Sequence, residues 1–248
     1  MSIQNPYGFC HTTSDDVKEL YKKSTEHEDI LRWYNARCFD FNRVRVKTGF
    51  VEASYINVGA RTPLIVGSAP TPRAFDAWWD MIYSENVLNI FCLTRKIEKD
   101  RIKMDKYWPS PFRVHQYGNI TVKNILQQGL RDHVTSVKLR LEKPGKIQKY
   151  VTLYLYEGWP DFGVPVSTTF VEFAIKEILK RMKGGNYKNV VHCSAGLGRS
   201  GVVATAIRCL MTGEEPSDAL ENLREQRAGL VQSEKQYHFI CKLVSNMR

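Results

Sequence analysis

The stretch Val190–Ala206, VVHCSAGLGRSGVVATA, places a glycine-rich loop between two apolar runs. The residues NVVH that lead into it predict a short buried strand, and SGVVATAIRCLM (200–211) predicts a buried helix. A glycine-rich loop between a strand and a helix N-terminus can turn several backbone N–H groups toward one point, where the helix dipole adds positive charge. The stretch therefore predicts a binding site for a phosphate or another anion.

A cysteine and an arginine lie inside this loop. Cys193 stands at its start, where the same positive field favours the thiolate, the form that acts as a nucleophile. Arg199 stands at its far end, where a guanidinium can hold two phosphate oxygens and stabilise a transferring group. Taken singly, a cysteine is more often a small buried side chain and an arginine a surface charge. The combined string favours phosphate chemistry, although it lacks the Lys-Ser/Thr pair of a Walker loop.

Short β-type runs fill the first part of the chain, and helical patterns fill its C-terminal third. The predicted strands are RVRV (43–46), ASYINV (53–58), TPLIVGS (62–68), VLNIFCL (87–93), TSVKLRL (135–141) and KYVTLYLY (149–156). The predicted helices are about 15–33, with Ser14 as its cap, then 73–85, 168–182, 202–211, 216–226 and 233–247. A sheet flanked by helices predicts an α/β (α+β) fold, with residues 1–248 as one domain.

Composition and charge narrow the classes of partner. The 248 residues are 43% hydrophobic and carry a formal net charge of +10, so a large core and an anion-attracting surface are expected. The charge alone does not choose between nucleic acid, acidic lipid and a phosphorylated substrate. Because no zinc finger, basic helix or RNA-binding aromatic pattern is present, we expect no nucleic-acid partner.

The apolar runs and the cysteines predict the cellular setting. No run reaches about 18 apolar residues and the N-terminus lacks the order of a secretory signal, so we expect no membrane segment and a cytoplasmic location. The six cysteines are scattered, without a C-x-x-C pair, which favours reduced thiols over disulfides or a zinc site. We therefore expect no metal and no other cofactor. The sequence does not indicate an oligomeric state.

At VHCSAGLGRSG (191–201) the sequence closely resembles the phosphate-binding loop of cysteine-dependent protein tyrosine phosphatases. Similar matches follow the family's order over most of the chain: YINVG (55–59), DKYWP (105–109), WPDFGVP (159–165) and REQRAGLVQSEKQYHFI (224–240). GSAP (67–70) replaces the family's Thr-Gln-Gly-Pro run, which indicates a divergent member. The resemblance implies a central, highly twisted mixed β-sheet flanked by helices, and hydrolysis of phosphotyrosine in proteins.

Hydrolysis of a phosphate monoester by a thiolate needs a general acid for the leaving oxygen and later a base for water. Asp161 is the candidate, on a Trp159-Pro160-Asp161 turn that follows a strand and that prolines stiffen into a possible lid. By itself it would be an ordinary turn aspartate. The resemblance implies that Asp161 protonates the leaving tyrosine oxygen.

Further roles follow from the resemblance alone. Arg199 would bind the phosphoryl oxygens, and Ser200 would donate a hydrogen bond to the thiolate and ease its departure from a cysteinyl-phosphate. Gln232 would position the attacking water, with Gln236 beside it. The residues of the loop that would bind the substrate phosphate are Ser194, Ala195, Gly196, Leu197 and Gly198.

Two supporting residues carry alternative interpretations. His192 would orient the loop and tune Cys193, although a lone histidine after a strand is more often structural. Glu98 resembles the glutamate that pairs with the loop arginine, although a solvated charge run explains it nearly as well.

The segment LRWYN (31–35) departs from the family's Asn-Arg-Tyr pattern. Trp33 replaces the aromatic wall of the phosphotyrosine pocket and can still stack on the ring, or can be a packing tryptophan. Asn35 replaces the aspartate that grips the substrate backbone, so weaker peptide anchoring is expected.

Three hypotheses for function therefore stand. The first is an active protein tyrosine phosphatase. The second is a related cysteine phosphatase that acts on phosphoserine or phosphothreonine, a phosphoinositide or an RNA 5′ phosphate. The third is a non-catalytic phosphotyrosine-binding module, which the presence of Cys193, Asp161 and Arg199 disfavours.

Overall fold

Ten strands and six α-helices form the part of the chain that a computed structural model describes, residues 20–183 and 187–248. The strands are β1 Ala53–Ile56, β2 Leu64–Ser68, β3 Val87–Cys92, β4 Ile97–Glu98, β5 Arg101–Ile102, β6 Val114–Tyr117, β7 Ile120–Gly129, β8 Val134–Glu142, β9 Lys149–Tyr156 and β10 Lys188–Cys193. The helices are α1 Lys22–Glu26, α2 Phe75–Ser84, α3 Thr169–Lys183, α4 Gly198–Thr212, α5 Pro216–Arg224 and α6 Glu234–Met247, with 3₁₀ turns at Glu28–Ile30 and Pro72–Ala74.

Eight of these strands form one mixed sheet in the order β1-β2-β10-β3-β9-β8-β7-β6. The four inner strands β2, β10, β3 and β9 run parallel, and the remaining neighbours pair antiparallel. The short strands β4 and β5 form a separate hairpin. The predicted mixed sheet flanked by helices is therefore confirmed.

Helices cover both faces of the sheet. The core on one face contains α2, whose Trp78 and Trp79 are buried, and the core on the other face is built from α3 to α6. The central strand β10 supplies Val190 to one core and Val191 to the other. A strand that is buried on both faces reads as a continuous apolar run, which is why NVVH predicted it correctly. Each such side chain stabilises the fold by roughly 1.5–3 kcal/mol.

The parallel strands determine where a ligand can bind. Their carboxyl ends lie at one edge of the sheet, because β10 is parallel to both β2 and β3. Open α/β sheets bind ligands at this edge, in the crevice beyond the strand ends. Cys193 ends β10 there, and the chain after β9 brings in the Trp159-Pro160-Asp161 turn.

The predicted long N-terminal helix is wrong for the described part of the chain. Residues 14–19 of that prediction, with the Ser14 cap, lie outside the described residues. Between residues 21 and 33 only α1 and the 3₁₀ turn Glu28–Ile30 are helical. Tertiary contacts hold the beginning of α1: the Asp40 carboxylate accepts from the Lys23 N–H at 3.1 Å, and Ser24 Oγ donates to the Cys38 carbonyl at 3.2 Å. The chain then extends toward Trp33.

The sheet differs from the sequence prediction in two places. The RVRV run is not a strand but an isolated bridge between Arg43 and Ser54, after which the Lys47 N–H binds the Asp80 carboxylate at 3.2 Å. Strands β6 and β7 were not predicted. Asn124 is buried in β7 where the alternation calls for an apolar side chain, and the last four residues of β7 are exposed.

The remaining predicted strands and helices are present, with shifted ends. The largest shift is in α4, which begins at Gly198, four residues before the apolar run VVATA, because Gly198 and Gly201 already adopt helical geometry. Within residues 20–183 and 187–248, none of the helices has the length and apolar character needed to cross a membrane.

Candidate active site

The loop between β10 and α4 has its carbonyl groups bound from the outside. The Ser194 carbonyl accepts from the Ala69 N–H at 3.1 Å, and the Ala195 carbonyl accepts from Ser68 Oγ at 2.9 Å. Arg227 donates to the carbonyl of Gly196 at 3.0 Å. Because the N–H and C=O of a trans peptide point in opposite directions, the N–H groups that share these peptides point inward. The loop thus has the geometry of an anion cradle, and the binding of an anion there stays a prediction.

Two of the loop glycines are required by close packing. Gly196 has φ +68°, and a Cβ there would lie 2.3 Å from the carbonyl oxygen of Gly67. At Gly201 a Cβ would lie 2.7 Å from the backbone nitrogen of Val231. Any larger residue would push the loop away from β2 or from the segment around Gln232 and Gln236, which we call the glutamine segment.

A cleft above the loop collects most of the predicted site residues. Its lining residues are Trp33, Asn35, Lys103, Asp161, Phe162, Cys193, Ser194, Ala195, Leu197, Arg199, Gln232 and Gln236. Cys193 lies at its floor with only 4% of its surface exposed. Glu98, Trp159, His192 and Ser200 are not among the lining residues and lie behind it, each nine-tenths or more buried.

Arg199 is fixed by acceptors on three sides. It binds Glu98 through two bonds of 2.7 and 3.1 Å, the Trp159 carbonyl at 2.9 Å, and Asp161 Oδ1 at 3.1 Å. Burial opposes its charge, but the hydrogen bonds that it donates to Glu98 and the electrostatic effect of the nearby Cys193 raise the pKa of Arg199 overall. Its planar fork is therefore charged and oriented at the cleft, and the pairing predicted for Glu98 is present in the structure.

Asp161 reaches into the cleft from its turn. Trp159 holds the base of the turn, because it is fully buried and its Nε1 donates to the Gly163 carbonyl at 2.9 Å. The Asp161 carboxylate contacts Lys103 Nζ at 2.5 Å as well as Arg199. An acid or base group thus lies beside the Arg199 guanidinium.

His192 lies under the loop and is fully buried. Its Nδ1 is 3.2 Å from the Cys193 carbonyl, which can only accept, so Nδ1 carries the proton and Nε2 accepts from the Tyr107 hydroxyl at 2.7 Å. Burial lowers the pKa of His192 to about 4. The imidazole is therefore neutral at pH 7 and acts on the backbone of Cys193. Within the described residues, the buried Ser200 Oγ makes no hydrogen bond, so its bond to the thiolate stays a prediction.

Trp33 is joined to the loop by a hydrogen bond. Its Nε1 donates to Ser194 Oγ at 2.9 Å, and Ser194 Oγ in turn donates to the Lys103 carbonyl at 2.7 Å. The Lys103 ammonium stands 5.1 Å from the centre of the Trp33 ring. The indole is thus fixed as one wall of the cleft, and the exposed Asn35 follows it at the rim.

The two glutamines are linked at the start of α6. The Gln232 N–H donates to Gln236 Oε1 at 2.9 Å, and Gln236 is 99% buried. Ser233 caps the helix by accepting from the Gln236 N–H at 3.2 Å, and its hydroxyl donates to the Phe162 carbonyl at 2.8 Å. The glutamine segment and the Asp161 turn therefore contact each other.

Three residues of the site were not predicted from the sequence. Lys103 holds Asp161, Tyr107 holds His192, and Arg227 is fully buried behind the loop, 3.5 Å from Glu52 Oε1. Burial raises the pKa of Glu52, and Arg227 opposes that shift. The only available signal was that all three lie in or beside the DKYWP and REQRAG motifs, since a local pattern does not reveal a buried cation.

Fold and site together have the arrangement expected from the loop motif: a cysteine at a strand end, an anion cradle, a buried arginine and an acid turn. The sequence model of the family described as protein-tyrosine phosphatase matches residues 27–246. The chain belongs to this family, and the resemblance inferred from its motifs is confirmed.

Individual relatives carry the same family description. Tyrosine-protein phosphatase non-receptor type 4 of Mus musculus is 28% identical over 226 residues, 86% of this chain and 24% of the relative. Tyrosine-protein phosphatase 1 of Caenorhabditis elegans is 29% identical over 95% of this chain and 23% of the relative. Tyrosine-protein phosphatase non-receptor type 2 of Mus musculus is 29% identical over 91% of this chain and 59% of the relative. The chain thus spans about a quarter of the length of the first two.

Proposed function

We propose that the protein hydrolyses phosphotyrosine in proteins through a cysteinyl-phosphate intermediate. The observation that carries the proposal is the meeting of three groups in one cleft: Cys193 at its floor, Arg199 fixed by Glu98, and Asp161 at 3.1 Å from Arg199. A nucleophile, a phosphate clamp and a proton-transfer group are what a two-step phosphoryl transfer requires.

In the first step the Cys193 thiolate attacks phosphorus while Arg199 and the inward N–H groups hold the phosphoryl oxygens. The bond from phosphorus to the tyrosine oxygen breaks, and Asp161 in its acid form protonates that oxygen. Protonation matters because a free tyrosine hydroxyl has a pKa near 10, so the unprotonated oxygen is a poor leaving group at neutral pH.

In the second step a water molecule attacks the phosphorus of the cysteinyl-phosphate. Asp161, now a carboxylate, accepts a proton from the water, the sulfur–phosphorus bond breaks, and inorganic phosphate and the thiolate are formed. Gln232 would orient the water, and Ser200 would donate to the departing thiolate. The contact of Ser233 with Phe162 supports joint action of the two segments.

The wall formed by Trp33 supports tyrosine as the phosphorylated residue. Its indole is held by Ser194 and stands beside Lys103, so a flat aromatic surface borders the entrance to the cradle. An aromatic ring stacked on it would gain about 0.5–1.5 kcal/mol beyond burial, which an aliphatic phosphoserine cannot gain. We therefore propose tyrosine-phosphorylated proteins as partners.

We further propose that residues 1–248 act as one catalytic domain in the cytoplasm. The family match from 27 to 246 supports the extent of the domain. The five cysteines of the described residues are free thiols, which suits a reducing compartment.

The test compares substrates and variants. Wild type is assayed on a phosphotyrosine peptide, the matched phosphoserine peptide and a 5′-triphosphorylated RNA. Cys193→Ser should reduce turnover of the phosphotyrosine peptide by on the order of 10³-fold or more, and Asp161→Ala by about 10²–10⁴-fold while peptide binding remains. Cys241→Ser, which removes a partly buried thiol in α6, is the matched control and should be fully active.

Three results would contradict the proposal. Equal turnover by Cys193→Ser and wild type would exclude the thiolate mechanism. A large preference for RNA or phosphoserine would assign the site to another phosphoanion. Tight phosphotyrosine binding without turnover would make the protein a binding module.

A further inference from the structure

A small cavity adjoins the outer side of the loop between β10 and α4. It has a volume of about 20 Å³ and lies between the extended segment 30–32, the end of β2 and α2. Ser68 and Ala69 border the cavity, and the same two residues bind the carbonyls of Ala195 and Ser194. The cavity is therefore one residue away from the anion cradle.

Three buried polar atoms on residues that border this cavity have no hydrogen-bond partner among the described residues. They are Arg32 Nε, Glu52 Oε1 and Trp78 Nε1. Trp78 is only 1% exposed, and the side chains of Arg32 and Glu52 are 10% and 7% exposed. Buried polar atoms almost always have a partner, because the loss of their bonds to water costs free energy. Three unpartnered atoms around one cavity therefore indicate a partner that binds inside it.

Other contacts fix the side chains of Arg32 and Glu52. Arg32 Nη2 donates to the Asp105 carboxylate at 2.5 Å. Glu52 Oε2 accepts from Ser24 Oγ at 3.1 Å, and Glu52 Oε1 is 3.5 Å from Arg227 Nη1. Arg32 and Glu52 are thus paired with other residues and not with each other, so Nε and Oε1 are left for a molecule in the cavity.

The hydrogen-bonding character of the three atoms identifies that molecule. Arg32 Nε and Trp78 Nε1 carry protons and can only donate, whereas a carboxylate oxygen of Glu52 accepts. A metal ion accepts no hydrogen bond and a halide ion donates none, so neither satisfies all three atoms. A water molecule can accept two hydrogen bonds and donate two, and a cavity of about 20 Å³ has room for one.

We propose that this cavity binds one water molecule, which accepts hydrogen bonds from Arg32 Nε and Trp78 Nε1 and donates one to Glu52 Oε1. The water joins three parts of the chain that are distant in sequence: the extended segment 30–32, the residues before β1, and α2. Its presence in the folded chain does not depend on the proposed function, whereas its effect on turnover does.

Each partner of the water is one contact away from the cleft. The residue after Arg32 is the wall tryptophan, which is bound to the loop at 2.9 Å. The cation beside Glu52 donates to a carbonyl of the loop at 3.0 Å. The ring of Trp78 packs edge-on against His192, with ring centroids 5.3 Å apart. The water therefore positions the wall and the floor of the cleft relative to each other.

A high-resolution crystal structure of the wild-type chain tests the site directly. We expect a density peak at hydrogen-bond distance, about 2.7–3.2 Å, from Arg32 Nε, Glu52 Oε1 and Trp78 Nε1. Crystals grown in sodium bromide distinguish water from a halide ion, because bromide gives an anomalous signal and water does not. A cavity without density, or a bromide signal inside it, would overturn the proposal.

The positioning role is tested with Trp78→Phe, which removes one donor and keeps an aromatic ring. The measured quantities are the Kd of tungstate, a tetrahedral oxyanion that resembles phosphate, and kcat/KM on a phosphotyrosine peptide. Because the loss of one hydrogen bond changes an equilibrium constant by about two- to tenfold, the Kd should rise and kcat/KM should fall by that factor.

The matched control is Trp108→Phe. It removes the same N–H group from a second buried indole that has no partner among the described residues but does not border the cavity. Both variants lose packing to a similar extent, so a general loss of stability would affect tungstate binding equally. The control should bind tungstate with the wild-type Kd.

The possible failures are distinguishable. If Trp78→Phe keeps the wild-type Kd of tungstate, or if Trp108→Phe loses affinity equally, the water does not position the cleft. If the wild-type chain turns over no phosphotyrosine peptide, the proposed function fails, while the density peak and the Kd of tungstate still test the water site.

Discussion

Acidification should destabilise the protein through His192. This residue is fully buried between the Tyr107 hydroxyl and the Cys193 carbonyl, and burial lowers its pKa from 6.5 to about 4. A histidine with a lowered native pKa binds more protons in the unfolded chain, so stability is lost as the pH falls from 6.5 toward 4. With 1.36 kcal/mol for each unit of pKa, the loss reaches about 3 kcal/mol at pH 4.

The assay is urea denaturation at several pH values between 4 and 7, followed by tryptophan fluorescence. Carboxylates also titrate in this range, so the informative quantity is the difference between wild type and His192→Gln. The variant keeps polar groups that can bind Tyr107 but cannot take up a proton. Between pH 7 and pH 4 its free energy of unfolding should therefore fall by about 3 kcal/mol less than that of wild type. His133→Gln, an exposed histidine before β8, is the control and should follow wild type. Parallel curves for wild type and His192→Gln would refute the reasoning.

Other changes probe the cradle and its supports. Gly196→Ala forces a Cβ against a backbone carbonyl at positive φ and should destabilise the protein by about 1–3 kcal/mol in urea; wild-type stability would show that the loop relaxes freely. Arg199→Lys removes the planar fork and should lower kcat on a phosphotyrosine peptide by about 10²–10³-fold; a change only in KM would contradict a transition-state role. Arg227→Met leaves Glu52 buried and unpaired and should cost about 3–5 kcal/mol, part of which Arg227→Met/Glu52→Gln should restore in the same denaturation assay.

Local sequence patterns predicted the strands and helices that are buried among apolar side chains. β10 and α4 were readable because both are buried, and the cradle was readable because glycines, a cysteine and an arginine share one short string. Strand β7 was missed since Asn124 interrupts its alternation and finds its partner, the Pro109 carbonyl, only in the folded chain. At the hairpin of β4 and β5 a solvated charge run was nearly as good an interpretation as a site residue, because its strands have two residues each.

Contacts distant in sequence account for what could not be predicted in the site. Trp33 meets Ser194 across 161 positions, and Arg199 meets Glu98 across 101 positions. Whether a charge is buried with a partner or exposed to water depends on such contacts, so Glu98 was ambiguous and Arg227 carried no local signal. The resemblance to a family supplied the pairing of Glu98, and the fold supplied the role of Arg227 as a support of the loop.

The hydroxyl of Ser233 joins the turn that carries Asp161 to the helix that carries the second glutamine. It can cap α6 and bind the Phe162 carbonyl at once only while the acid turn lies inward. Outward movement of the turn would break this bond, while the bonds that join Gln232 and Ser233 to Gln236 would remain. The inward position of the turn is therefore favoured by one hydrogen bond, which contributes roughly 0.5–1.5 kcal/mol.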